Sequence, residues 1–169
     1  VYYPAGGVIT VTASVPGVYT VQVGDNEYTA NIATAGGSAE VTVDTLDAGA
    51  YDIKINRSNI ETYDDVSQVF DGGYLVNLAT VDVTVTSTTV VYPNKGSINL
   101  TASVRGYYNV SIGNMKTYEI YVPEAGVPVE VEVDELLSVY TYDVSVKADL
   151  GKNYKPVDTG AIGTYNVIG

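Results

Sequence analysis

The feature that most constrains the fold of this chain is an internal repeat, because two similar segments in tandem are expected to fold as two copies of one unit. When the 169 residues are compared with themselves at offsets of 89 to 91 positions, identical residues coincide along most of the chain. The matched pairs include Pro4/Pro93, Ala13/Ala102, Gly17/Gly106, Tyr19/Tyr108, Glu40/Glu130, Asp44/Asp134, Tyr51/Tyr142 and Tyr74/Tyr165. We therefore predict two tandem domains, residues 1-80 and residues 81-169.

Each copy has the pattern of short β-strands. Apolar and polar residues alternate with a period of two at positions 9–13 and again at positions 98–102, as in strands with one buried face. Val, Ile and Thr, which favour strands, make up about a third of the chain. Gly24-Asp25 and Gly113-Asn114 supply residues typical of hairpin turns. About seven strands per copy, without a helical period, predict an all-β fold with one β-sandwich in each domain.

The composition excludes several kinds of chemistry. The chain has no Cys, His or Trp, so zinc sites built on Cys or His and catalysis by Ser–His–Asp or Cys–His groups are impossible. A net charge of −12 makes nucleic acid and anionic membranes poor partners. No run approaches about 18 apolar residues, so we expect no membrane insertion. Because position 1 is Val, we expect a processed mature protein or an excised fragment.

A tyrosine opens a late strand in both copies. The sequence Leu-Asp-Ala-Gly-Ala precedes Tyr51, and Tyr142 takes the same place in the second copy after a segment one residue longer. This arrangement is similar to the tyrosine corner of immunoglobulin-like (Ig-like) sandwiches, in which the hydroxyl bonds to the backbone a few residues upstream. The alternative is an ordinary aromatic residue at the start of a strand.

The order of motifs resembles a known family. The second copy runs through TTV at 88–90, LTASV at 100–104, Gly106, Gly126, VEV at 131–133, Leu136 and YDVSV at 142–146, and the first copy carries LDAGAYDI at 46–53. This order resembles the Ig-like repeats of prokaryotic cell-surface proteins, notably adhesin-like proteins of methanogenic archaea and related bacterial surface proteins. The resemblance implies two tandem Ig-like β-sandwich domains at the cell surface, outside the cell. Its motifs specify a fold and no binding site.

Acidic residues supply the candidate metal ligands. Asp64, Asp65 and Asp71 follow Glu61 in a predicted loop, and calcium prefers several carboxylate oxygens. No Asp-x-Asp-x-Asp-Gly loop is present, so a solvated acidic surface is the competing interpretation, and we predict no cofactor apart from calcium at these residues. Glycoside hydrolysis needs two carboxylates across a cleft, which two small sandwiches with short loops rarely provide. We expect no enzyme.

Two features of the sequence are relevant to glycans: Asn-x-Ser/Thr triplets and tyrosines. Asn56, Asn99 and Asn109 each begin an Asn-x-Ser/Thr triplet and are candidate glycosylation sites. Tyrosines that recur in strand phase, at 19, 51, 74, 108, 142 and 165, are predicted to be core residues. Other tyrosines, at 2, 3, 28, 107, 118, 121 and 140, are less constrained, and an exposed cluster of them would favour carbohydrate or protein contacts.

The first copy lacks a counterpart of the strand predicted at 81–90, and the last strand is expected to be short. A missing strand leaves an open sheet edge, and open edges recruit strands. We predict a non-enzymatic structural or adhesive module that acts as a stalk or spacer and contacts other copies or neighbouring Ig-like domains. Two alternatives stay open. One is a self-assembling filament or surface-layer subunit joined by strand donation, and the other is a module that binds host or cell-wall glycan or protein.

Overall fold

The computed structural model describes residues 1–57 and 66–169, and within these ranges every regular element is a β-strand. The predicted all-β class is confirmed. The chain divides into two compact units, Val1–Ala79 and Thr80–Gly169. In the part of the chain that is described, there is no helix with the length and hydropathy needed to cross a bilayer.

The first unit has six described strands in two sheets. They are β1 (Val8–Thr12), β2 (Gly17–Val23), β3 (Asn26–Ile32), β4 (Ser38–Thr42), β5 (Gly49–Arg57) and β6 (Val66–Val76). One sheet has the order β3-β2-β5-β6, and the other is the antiparallel pair β1-β4. The sequence had predicted about seven strands.

The second unit has eight strands in two sheets. They are β7 (Val83–Ser87), β8 (Val90–Val91), β9 (Ser97–Ala102), β10 (Gly106–Ile112), β11 (Lys116–Val122), β12 (Val129–Glu132), β13 (Tyr140–Ala148) and β14 (Val157–Ile168). The larger sheet has the order β11-β10-β13-β14-β8, and the smaller has the order β12-β9-β7. Strands β2 to β5 of the first unit thus reappear as β10 to β13.

Alternation along the strands builds one hydrophobic core in each unit. Val11 of β1 and Val21 of β2 are buried together in the first unit, and Leu100 of β9 and Val110 of β10 are buried together in the second. Each core therefore takes side chains from both sheets of its unit, which is consistent with a β-sandwich. Complete burial of one such side chain contributes about 1.5–3 kcal/mol, so these pairs contribute strongly to the stability of each unit.

Two sequence-based predictions about strands are wrong. The last strand, β14, is 12 residues long where a short strand was expected. Asp71 lies within the 11-residue strand β6 and not in a loop. Both strands pair with a long neighbour through register shifts, at Tyr51/Ile53 in β5 and on both sides of Ser145 in β13. A bulge of this kind lets a strand continue through glycines that indicate a turn when the sequence is taken alone.

Candidate functional site

Four tyrosines in each unit make hydroxyl hydrogen bonds that recur in the other unit. Two of the four bond to a carbonyl four residues upstream. In the first unit Tyr19 donates to Val15 O at 2.7 Å and Tyr51 donates to Asp47 O at 2.6 Å. The equivalent bonds in the second unit run from Tyr108 to Val104 O at 2.5 Å and from Tyr142 to Ser138 O at 2.9 Å. The geometry at Tyr51 and Tyr142 is that of a tyrosine corner.

The third tyrosine of each set joins the beginning of its unit to the end. The backbone amide of Gly7 donates to the hydroxyl of Tyr74 at 2.7 Å, and that of Gly96 donates to Tyr165 at 2.9 Å. A methyl group on Gly7 would lie 2.9 Å from the Tyr74 ring, so the close approach requires glycine. These bonds connect segments 67 and 69 residues apart in the chain.

The fourth tyrosine faces an aspartate. Tyr118 donates to the Asp134 carboxylate at 2.8 Å and accepts from the Asp134 amide at 3.3 Å. Tyr28 and Asp44 make the same two contacts at 3.3 and 3.0 Å. Burial, and to a smaller extent the hydrogen bond to the Asp134 side chain, together raise the pKa of Tyr118 to about 12, because both favour the neutral phenol. These pairs were not predicted from the sequence, although both residues recur at an offset of 90 positions.

In each unit a short segment next to a Tyr-Pro sequence pairs in parallel with the end of the unit. Tyr2 bridges Asn77 in the first unit, where the Tyr3 amide donates to Asn77 O at 2.9 Å and the Asn77 amide donates to Val1 O at 2.7 Å. In the second unit β8 pairs in parallel with the end of β14, and the Tyr92 amide donates to Ile168 O at 2.7 Å. The Tyr-Pro peptide bond that follows is cis in both units.

One sheet edge differs between the units. In the second unit β9 pairs with β12 on one side and with β7 on the other. In the first unit β1 pairs with β4 alone among the described residues. A cleft of about 430 Å³ lies beside this edge. The described residues that line it are uncharged and are Val11, Thr12, Ala13, Ser14, Val15, Tyr19, Ile55, Val66, Ser67 and Gln68.

One sheet face also differs. Tyr107 of β10 and Tyr121 of β11 lie opposite each other, are 62% and 47% exposed, and have ring centroids 4.8 Å apart. The first unit has Val18 opposite Asn31 at the equivalent positions. The exposed pair belongs to the group of tyrosines that strand phase left unconstrained, and cross-strand register brings the two rings together.

Six tyrosines that recur at equivalent strand positions were predicted to be core residues, and five of them are buried. They are Tyr19, Tyr74, Tyr108, Tyr142 and Tyr165, all at most 7% exposed. The sixth, Tyr51, is half-buried.

The calcium candidates are not brought together by any described contact. Asp64 and Asp65 lie outside the described residues, and Asp71 is exposed in β6. Among residues 1–57 and 66–169, no three acidic side chains are grouped so that they could hold a metal ion. The three Asn candidates, Asn56, Asn99 and Asn109, are exposed within β5, β9 and β10.

Comparison with known proteins adds no relative. No family model matches the chain, and no curated protein sequence matches it significantly.

Proposed function

We propose that the chain is a structural segment of a prokaryotic cell-surface protein, in which two tandem Ig-like β-sandwich repeats act as a stalk or spacer outside the cell. The repeat of four tyrosine contacts supports this proposal. In each contact a tyrosine hydroxyl bonds to a backbone group of its own unit. These contacts recur in both units, whereas the exposed Tyr107 has Val18 at the equivalent position. We expect the module to be non-enzymatic.

The observation that carries the stalk function is the parallel pairing of the two ends of the first unit, where Tyr2 bridges Asn77 directly after β6. Tension along the chain enters this unit at its amino end and leaves it at its carboxyl end. For two parallel strands these forces point in opposite directions, so the strands are sheared and their hydrogen bonds are loaded together. The bonds that Asn77 makes with Val1 and Tyr3 are loaded in this way. Antiparallel end strands would be unzipped one bond at a time.

Single-molecule force spectroscopy on the whole chain tests this function. We expect two separate unfolding events, one for each unit, because forced unfolding reports the unfolding barrier of each unit. Asn77→Pro removes the amide that donates to Val1 O, while Asn77→Ala keeps it. We expect the proline variant to lower the rupture force of the first unit and to leave that of the second unit unchanged.

The matched variants make the result decisive. If Asn77→Pro and Asn77→Ala rupture at the same force, the parallel pair does not carry the load and the stalk function loses its support. Circular dichroism of both variants shows whether the first unit has kept its strands.

A second candidate function is glycan binding, and the exposed pair of Tyr107 and Tyr121 favours it. Tyrosine rings present an apolar face and a polar hydroxyl, which suits contact with sugar rings. The next residues along the same face are polar, with Asn109 opposite Glu119 on one side and Lys147 on the other. This surface therefore offers stacking beside hydrogen-bonding groups.

A glycan array probed with the chain tests the second candidate. We expect binding to be lost in the double variant Tyr107→Ala, Tyr121→Ala and kept in Val18→Ala, Asn31→Ala, which changes the equivalent pair of the first unit. Equal binding by the two double variants, or no binding by the unchanged chain, rejects this function.

A further inference from the structure

We propose that Tyr107 and Tyr121 form a modification site, at which a one-electron oxidant joins the two rings into a dityrosine cross-link between β10 and β11. The proposal depends on the geometry of this pair and on neither of the functions proposed above. It is also distinct from sugar binding by the same rings, because only the cross-link needs an oxidant and leaves a new covalent bond.

The two rings are already in contact. Tyr107 lies directly opposite Tyr121 in the antiparallel pair of β10 and β11, so both side chains are on one face of the sheet. The ring centroids are 4.8 Å apart, and the ring planes are tilted by 45°. Two groups that are held together in this way react faster than two groups that must first meet in solution.

Both rings of the pair are open to an oxidant in solution. Tyr107 is 62% exposed and Tyr121 is 47% exposed. A second tyrosine pair, Tyr140 and Tyr142, has ring centroids 5.2 Å apart in a T-shaped arrangement. There Tyr142 is buried and its hydroxyl donates to Ser138 O, so one of the two rings is shielded. Contact and access coincide at the Tyr107–Tyr121 pair.

The composition of the chain directs one-electron oxidation to tyrosine. Cysteine thiolates are readily oxidised, and tryptophan competes with tyrosine for the loss of one electron. The chain has neither residue type, but it has 16 tyrosines. The single methionine, Met115, is exposed and reacts with peroxide by gaining an oxygen atom, which is a different product. A tyrosyl radical formed on this chain therefore has no cysteine or tryptophan to which it can pass.

The cross-link requires the removal of two electrons and two protons. Hydrogen peroxide, acting through a peroxidase, takes one electron and the phenolic proton from each tyrosine and is reduced to two molecules of water. The two phenoxyl radicals then form one carbon–carbon bond between ring carbons next to the hydroxyl groups, the Cε atoms. The hydrogen on each of these carbons moves to the phenolic oxygen. Both phenols are thus restored, and the chain has lost two hydrogen atoms.

The cross-link closes the open end of a hairpin. The turn at Gly113-Asn114-Met115 joins β10 and β11 at one end, and the tyrosine pair lies next to the last pair of residues at the other end. In the larger sheet of the second unit β11 is an outermost strand and pairs with β10 alone. Because the chain has no cysteine, no disulfide can hold this strand in place.

The first test treats the whole chain with a peroxidase and hydrogen peroxide. We expect a monomeric product that is lighter by two hydrogen atoms, shows dityrosine fluorescence and yields one linked peptide containing Tyr107 and Tyr121 after proteolysis. Tyr107→Phe and Tyr121→Phe keep the rings and remove one hydroxyl each. Each variant should lower the yield of this product by at least about tenfold, because the remaining tyrosine must find a partner elsewhere. The yield from the unchanged chain should not fall on dilution.

The second test uses the equivalent positions of the first unit. Val18 lies opposite Asn31 in β2 and β3, as Tyr107 lies opposite Tyr121 in β10 and β11. The double variant Val18→Tyr, Asn31→Tyr should therefore gain a second intramolecular cross-link and lose two further hydrogen atoms. Val18→Tyr alone should not gain it. Circular dichroism shows that each variant has kept its strands.

Three results would overturn the proposal. One is the absence of coupling in the chain under conditions that couple free tyrosine. Another is an equal yield of the monomeric product from Tyr107→Phe, which would assign the cross-link to other tyrosines. The third is a set of linked peptides dominated by other exposed tyrosines, such as Tyr92 and Tyr140, or by links between molecules, because contact between the two rings would then not direct the reaction.

Discussion

In the second unit β9 is held from both sides, by β12 and β7, whereas its counterpart β1 in the first unit is held by β4 alone among the described residues. The tyrosine contacts show the opposite behaviour, because all four recur in both units with hydrogen bonds to equivalent groups. The recurring contacts include the local bonds of Tyr19 and Tyr108 and the bonds of Tyr74 and Tyr165, which join the beginning of each unit to its end. The features that do not recur, the open edge and the Tyr107–Tyr121 pair, are where the two units can do different things.

The largest loss of stability is expected from truncating a core side chain of β9, the strand that is paired on both sides. Leu100→Ala in β9 removes a fully buried side chain and should destabilise the second unit by about 2–5 kcal/mol. Val11→Ala in β1 should cost the first unit less, because the side chain is smaller and lies beside the cleft. Urea unfolding followed by NMR signals of each unit measures both values. An equal cost in the two units would show that the open edge does not loosen the packing of β1.

The next effect tests whether the tyrosine contacts are equivalent. Tyr74→Phe and Tyr165→Phe each leave a glycine amide without its acceptor, and each should cost about 1–3 kcal/mol. The same unfolding experiment measures the two costs. Costs that differ by more than about 1 kcal/mol would contradict the equivalence of the two contacts. Tyr140→Phe serves as a control, since its ring is 66% exposed.

A pH-dependent effect is expected at Tyr118. Its pKa is about 12 in the folded chain against 10.0 for the free side chain, so folding favours the protonated phenol. The corresponding stability is therefore complete below pH 10 and is lost as the pH rises from 10 towards 12. Asp134→Asn should lower the pKa of Tyr118, because it removes the negatively charged carboxylate that accepts the hydrogen bond of the phenol. NMR titration of the ring measures the shift, and an unchanged pKa would show that burial alone sets it.

The smallest effect concerns the sheet face. The Tyr107–Tyr121 pair should show a coupling of about 0.5–1 kcal/mol in a double-mutant cycle, as expected for aromatic rings in contact across strands. The equivalent cycle on Val18 and Asn31 should show less. A coupling near zero for the tyrosines would mean that their exposed rings add nothing to stability, which strengthens the case for a binding role.

Local patterns in the sequence predicted much of the fold, because alternation is a local property. Alternation at 98–102 identified Ile98, Leu100 and Ala102 as inward-facing, and all three are buried. The lengths of β6 and β14 were not predictable in this way, since bulges within these two strands let them run through Gly72 and Gly160 while still paired with β5 and β13. A bulge depends on pairing between distant segments and leaves no local signal.

The candidate sites depended even more on register. The pairing of Tyr107 with Tyr121 follows from a hairpin whose loop length fixes which residues are opposite, so the sequence could list both tyrosines without joining them. The Tyr28–Asp44 and Tyr118–Asp134 contacts were detectable in principle, because both members recur at one offset. They were missed because tyrosine and aspartate were considered separately, as aromatic and as acidic residues.

The bond from Gly7 to Tyr74 also constrains how the protein is made. The two residues are 67 positions apart in the chain. During synthesis this hydrogen bond can therefore form only after nearly all of the first unit has left the ribosome. Non-local closure of this kind slows folding relative to folds made of local contacts. The first unit can nevertheless finish before the second begins, because its contacts close within Val1–Ala79. Each repeat therefore matures as it emerges, and two unfinished copies of nearly the same sequence are seldom present together to exchange strands.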